Sequence, residues 1–75
     1  MTINEKVYNS LVADVDALEN RLIQNKGCYS LQKLIKEDRN MTENLCFCLG
    51  HDLISEEEYH GLNIRIREAF KAYFR

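Results

Sequence analysis

The side chains best suited to metal chemistry are two cysteines and two histidines in the second half of the chain. Cys46, Cys48, His51 and His60 carry the thiols and imidazoles that zinc binds in structural sites. Their spacing is poor for zinc, because such sites usually place roughly two to four residues between paired cysteines. On a helix, residues 46 and 48 would also point about 200° apart. We therefore expect cysteines that pack in an apolar segment, with no metal and no cofactor.

Catalysis is the other chemistry that these groups could support. Cys28 or Cys48 could act as a nucleophile with His51 or His60 as its base, but such a site also needs an orienting group and a water-excluding pocket. The sequence contains no glycine-rich phosphate loop, no H-E-x-x-H and no G-x-S-x-G. The three consecutive glutamates at 56–58 would diverge on a helix, and helix capping accounts for them. The sequence therefore predicts a protein that is not an enzyme.

Length and composition restrict the class of protein further. The chain has 75 residues, of which 45% are hydrophobic and 29% charged, with a net charge of −2. These values predict one small folded domain and disfavour both a general nucleic-acid coat and an anionic-membrane binder. No apolar run approaches the roughly 18–20 residues of a membrane span. Three cysteines and a start without a basic and apolar leader predict a reduced, cytoplasmic protein.

A capping box and a heptad stripe predict the first helix over residues 3–26. Thr2 and Glu5 are spaced so that each side chain can satisfy a backbone amide at the helix start. Gly27 follows the helix, at the position where a left-handed residue commonly ends one. Apolar residues recur at alternating intervals of three and four between these ends: Tyr8, Leu11, Val15, Leu18 and Leu22. Such a stripe is typical of a helix packed against another helix.

The last helix, predicted over residues 56–74, is built in the same way. Ser55 and Glu58 form a second capping box. Its apolar stripe again alternates intervals of three and four: Tyr59, Leu62, Ile66, Ala69 and Tyr73. Residues 30–49 favour either one bent helix or two short helices that divide near Asn40. The pattern therefore predicts a single all-α domain over residues 1–75, a bundle of three or four helices.

The length of the first helix raises the question of a second chain. A helix over 3–26 would be about 36 Å long, whereas a sphere formed by a chain of this length is about 29 Å across. We therefore expect a helical homodimer whose seam is the stripe of the first helix, formed by Tyr8, Leu11, Val15, Leu18 and Leu22. The alternative is a plain three-helix bundle with a projecting end.

Charge is distributed along the chain in four blocks. The net charges are −3 for residues 1–20, +3 for 21–39, −5 for 40–60 and +3 for 61–75. Such alternation suits antiparallel helices, because unlike blocks then lie side by side.

The basic blocks 21–39 and 65–75 could alternatively contact nucleic acid. The candidate phosphate contacts are Lys33, Lys36, Arg39, Arg65 and Arg67. A helix-turn-helix signature with a clear recognition helix is absent. This gives the alternative prediction of a dimeric nucleic-acid-binding regulator.

The main functional prediction rests on apolar and acidic residues that are not needed for packing along the apolar stripes of the first and last helices. The candidate contacts for a protein partner are Phe47, Phe70, Tyr73, Phe74, Glu56 and Glu57. We expect a small non-enzymatic regulator that blocks or sequesters a protein partner. Phage and mobile-element regulators, such as antirepressors or inhibitors of DNA-binding or defence proteins, are examples of this kind. A purely structural assembly subunit is a third interpretation.

Overall fold

Three helices form the whole of the regular structure in the computed structural model, which describes residues 2–75. They are α1 (Ile3–Gln24), α2 (Leu31–Gly50) and α3 (Glu56–Tyr73), and the described residues contain no strand. The helices run up, down and up in a bundle that measures 39 × 20 × 16 Å. We call the end where α1 and α3 finish and α2 begins the upper end, and the opposite end the lower end. The prediction of a small all-α bundle is confirmed.

Side-chain caps set the starts of the helices. The Thr2 hydroxyl accepts a hydrogen bond from the Glu5 amide at 3.1 Å, and the Ser30 hydroxyl accepts one from Lys33 at 3.2 Å. Ser55 and Glu58 form the complete reciprocal capping box. These bonds satisfy amides that no helical carbonyl can reach, so the helix starts are encoded locally.

The middle of the chain is one continuous helix, so the alternative of two short helices is wrong. A break near Asn40 would turn the apolar residues before it and those after it toward different sides of the molecule. In the continuous helix α2, Leu34, Met41 and Leu45 lie on one buried face. Burying these side chains together therefore outweighs the local capping signal at Asn40.

The core takes one apolar stripe from each helix. The most completely buried side chains are those of Val15, Leu18, Leu45 and Ile66. α3 packs against both other helices, more extensively against α1 than against α2.

The stripe of α1 that we predicted as a dimer seam packs within the single chain. Its residues Leu11, Val15, Leu18 and Leu22 are at most 5% exposed, and Tyr8 is half-buried against the same core. The length argument for a dimer assumed a spherical molecule, but α1 is about 33 Å long and fits along the 39 Å axis of the bundle. Within the single chain these residues are therefore not a free surface for a second copy, and a homodimer stays a prediction.

The link from α2 to α3 contains the one non-glycine residue with positive φ in residues 2–75. Asp52 has φ of +56°, and its amide donates to the Leu49 carbonyl at 3.1 Å. The next amide, of Leu53, donates to the Cys48 carbonyl at 2.8 Å. This pair of bonds is a Schellman motif, so the left-handed position is filled by Asp52, two residues after the Gly50 at which the helix stops.

Replacing Asp52 by alanine should destabilise the protein by about 1 kcal/mol, because a Cβ without a local polar group is disfavoured in the left-handed region. Asp52→Asn should change the free energy of unfolding by less than about 0.5 kcal/mol, since Asn tolerates this conformation. Urea unfolding followed by circular dichroism measures both. Equal losses for the two variants would contradict the assignment of backbone strain to this position.

Candidate functional site

The predicted partner-binding residues do not form one surface. Phe47, Glu56 and Glu57 lie at the lower end, whereas Phe70 and Phe74 lie at the upper end. The molecule is 39 Å long, so the two groups belong to separate surfaces.

Tyr73, the remaining candidate, is part of the scaffold at the upper end. It is only 8% exposed, and its hydroxyl accepts a hydrogen bond from the Tyr29 amide at 2.9 Å. The two rings also stack, with their centroids 6.3 Å apart. Tyr73 therefore ties the loop between α1 and α2 to the last turn of α3, and it is not an exposed contact for a partner.

Four large apolar side chains gather at the upper end between α2 and α3, and we call them the apolar patch. Leu31 and Phe74 are each 64% exposed, Ile35 is 51% exposed, and Phe70 is half-buried. They surround a shallow cavity of about 160 Å³. Phe70 and Phe74 were predicted from the sequence, whereas the two residues on α2 were not.

Helical spacing explains how the apolar patch is built. Leu31 and Ile35 lie one turn apart on α2, and Phe74, the residue that caps the end of α3, lies one turn after Phe70. Residues four apart share a helix face. Two short apolar ridges therefore face each other across a trough. The same spacing on α2 was the signal that could have found Leu31 and Ile35 in the sequence.

One ion pair lines the apolar patch, and two further arginines follow patch residues in the sequence. Arg67 lies beside the trough and makes long contacts of 3.4 Å to both carboxylate oxygens of Asp38. Arg39 follows Ile35 by one turn and Arg75 follows Phe74 directly; both are exposed, and neither has an ion pair within residues 2–75. An anionic group at this rim would meet cations that the fold has not already neutralised.

A second groove lies on the other side of α3, between α1 and α3. It has a volume of about 600 Å³, and its lining includes Leu22, Ile23, Ala69, Ala72 and Tyr73. Ile23 is 72% exposed at its edge. Most of the floor consists of small or already buried side chains, so this groove offers a partner fewer large anchors than the apolar patch.

The candidate nucleic-acid contacts are dispersed and mostly engaged within the chain. Arg65 bonds both Asp16 and Glu19 on α1, and the hydrogen bonds to Glu19 and then Asp16 raise the pKa of Arg65. Arg67 faces the opposite side of α3, toward Asp38 on α2.

On α2 itself, Lys33 lies 3.9 Å from Glu37 and 5.2 Å from the centre of the Tyr29 ring. Lys36 and Arg39 are exposed and have no ion pair within residues 2–75. The five predicted contacts therefore do not form one cationic face.

The cysteines and histidines are also dispersed. Cys48 lies in the core, whereas Cys46 is exposed, with its sulfur 3.9 Å from the Tyr59 hydroxyl. This hydrogen bond raises the pKa of Tyr59. The His51 ring packs on Phe47 at 4.3 Å between ring centroids. Within residues 2–75, no three His, Cys, Asp or Glu side chains converge as metal ligands would.

A search of the described helices for a membrane span finds none with the necessary length and apolar character. In comparisons with known proteins, no protein-family model, no curated protein and no solved structure matches the chain. The functional argument therefore rests on the surfaces of this molecule.

The role of Tyr73 as a scaffold residue can be tested by removing its hydroxyl. Tyr73→Phe should lower the free energy of unfolding by about 1–2 kcal/mol, because it leaves the partly buried Tyr29 amide without its acceptor. Hydrogen exchange of that amide should also become faster.

Tyr8→Phe is the matched control, because the Tyr8 hydroxyl has no hydrogen bond to residues 2–75; it should change stability by less than about 0.5 kcal/mol. An unchanged rate of hydrogen exchange at the Tyr29 amide in Tyr73→Phe would show that the hydrogen bond to the Tyr73 hydroxyl is not formed.

Proposed function

We propose that this chain is a small non-enzymatic regulatory protein that captures a protein partner through the apolar patch and thereby blocks or sequesters it. The observation that carries the proposal is the exposure of Leu31, Ile35 and Phe74 in one place, around the half-buried Phe70. Contiguous exposed apolar side chains are typical of binding surfaces.

The setting of the apolar patch supports a binding role. Its side chains project from two packed helices, and the Tyr73–Tyr29 hydrogen bond holds the adjacent loop in place. A partner therefore meets a preformed surface and has little backbone to order on binding. A central apolar cluster with a charged rim is also the usual arrangement of an interface hot spot.

Sequestration is the simplest consequence of such capture. A protein that binds a partner without catalysis acts by occupying a surface that the partner needs. Phage and mobile-element regulators, such as antirepressors and inhibitors of DNA-binding or defence proteins, work in this way. The three free cysteines favour a reducing compartment, and we place the activity in the cytoplasm.

Two other predictions, nucleic-acid binding and a homodimer through the stripe of α1, receive less support. Nucleic-acid binding would require Arg65 and Arg67 to leave carboxylates of their own chain. A homodimer through the α1 stripe would require Leu11, Val15 and Leu18 to leave the core. Both changes would weaken the fold, whereas the apolar patch is available without rearrangement.

The proposal is tested by affinity capture with Phe74→Ser and Ile64→Ser as a matched pair. Both side chains are large, apolar and exposed, at 64% and 60%, but Ile64 does not line the patch. Each tagged variant is incubated with lysate of the source cells, split into nuclease-treated and untreated halves, and retained proteins are quantified by mass spectrometry. We expect one partner in stoichiometric amount with the wild type and with Ile64→Ser, and about tenfold less with Phe74→Ser.

Circular dichroism of both variants confirms that the helices are intact before capture is compared. Equal recovery with Phe74→Ser would contradict the proposal. Loss of every retained protein on nuclease treatment would favour the nucleic-acid alternative instead.

A further inference from the structure

We infer that the docking segment of the partner is an amphipathic helix with carboxylates along its edge. This inference rests on the proposed function and specifies the chemistry of the partner at the same surface. It follows from the shape of the apolar patch and from the charges that border it.

The shape of the patch favours a helix over an extended peptide. Both walls of the trough belong to α-helices, and apart from the first amides of α2 and the last carbonyls of α3 their backbone groups are hydrogen-bonded within the helices. Residues 2–75 contain no strand, so the structure offers no sheet edge that an extended peptide could extend. A helix satisfies its own backbone and needs only side-chain contacts, with anchors spaced three and four residues apart.

The charge at the rim favours an acidic helix. Arg39 follows the patch residue Ile35 by one helical turn and Arg75 follows Phe74 directly, and neither has an ion pair in residues 2–75. Carboxylates on either edge of an incoming helix would meet these cations while its apolar stripe fills the trough. A basic helix would meet repulsion at the same positions.

A second copy of this chain fits the patch less well. Two patches face to face would bring like-charged rims together, because the upper half, residues 14–40 and 65–75, carries nine basic and six acidic residues. The acidic lower end of another copy has the opposite charge. Its large exposed apolar side chains, Ile3, Phe47 and Ile64, lie on three different helices, so they offer no pair of anchors one helical turn apart for a trough with two ridges.

The test is a display selection with random 16-residue peptides on the purified wild-type protein, with a parallel selection on Phe74→Ser. Peptides enriched on the wild type alone should carry apolar residues at intervals of three and four and an excess of Asp and Glu. The most enriched peptide is then synthesised and its affinity measured by fluorescence anisotropy. Arg39→Glu and Arg75→Glu should each weaken its binding about tenfold, since each replaces attraction by repulsion.

Lys6→Glu is the control for net charge, because it makes the same change at the exposed start of α1; affinity should then change less than twofold. Neutral or basic peptides among those enriched would overturn the inference. The same holds for equal enrichment on Phe74→Ser, or for equal effects of Lys6→Glu and Arg39→Glu.

Sedimentation equilibrium of the wild type and Phe74→Ser tests whether a second copy of this chain occupies the apolar patch. We expect monomers for both, and a dimer that only Phe74→Ser dissociates would assign the patch to a second copy. A partner captured from lysate in a Phe74-dependent manner, together with a failed peptide selection, would overturn the helical acidic segment and leave the proposed function standing.

Discussion

The packing of α3 against both other helices is the interaction on which the rest of the structure depends. Its stripe residues Leu62 and Ile66 are almost fully buried, whereas α1 and α2 contact each other over a shorter stretch than either contacts α3. Ion pairs flank the interfaces on both sides of α3: Arg65 reaches α1 and Arg67 reaches α2. Exposed pairs of this kind contribute about 0.2–1 kcal/mol each, so the apolar burial dominates and the ion pairs mainly fix the order of the helices.

The apolar patch is a consequence of how far the third helix extends. The buried stripe of α3 ends at Tyr73, whose hydroxyl is satisfied by the Tyr29 amide. Phe70 and Phe74 lie to one side of that stripe, beside Leu31 and Ile35 of α2, where the bundle has no fourth helix to cover them. A fourth helix would complete the burial of these four side chains, and for this reason we propose a helix of a partner as the occupant.

What could be predicted from the sequence was the part that depends on local chemistry. The capping residues Thr2 and Ser55 placed two helix starts correctly, and the heptad stripes identified most of the core. The left-handed conformation of Asp52 after the end of α2 was not predicted, because an Asp in this region has no pattern as clear as that of glycine. A heptad stripe also looks the same whether its partner is the same chain or another one, so the stripe of α1 was assigned to a dimer. The exposure of Phe74 and the burial of Tyr73, adjacent aromatic residues, depend on tertiary packing that spacing alone does not resolve.

The distribution of charge links the fold to the proposed function. All the ion pairs among residues 2–75 lie in the upper half, where they use five carboxylates. Basic residues still outnumber acidic ones there, so the end that carries the apolar patch keeps a positive field, although the whole chain has a net charge of −2. The lower half, residues 1–13 and 41–64, has six acidic residues and one basic residue. A molecule with such a separation of charge orients in the field of an acidic partner, so that encounters occur preferentially through the upper end. The carboxylates that hold Arg65 and Arg67 in the fold leave Arg39 and Arg75 without ion pairs among residues 2–75, and under the proposed function these two arginines guide an acidic partner to the apolar patch.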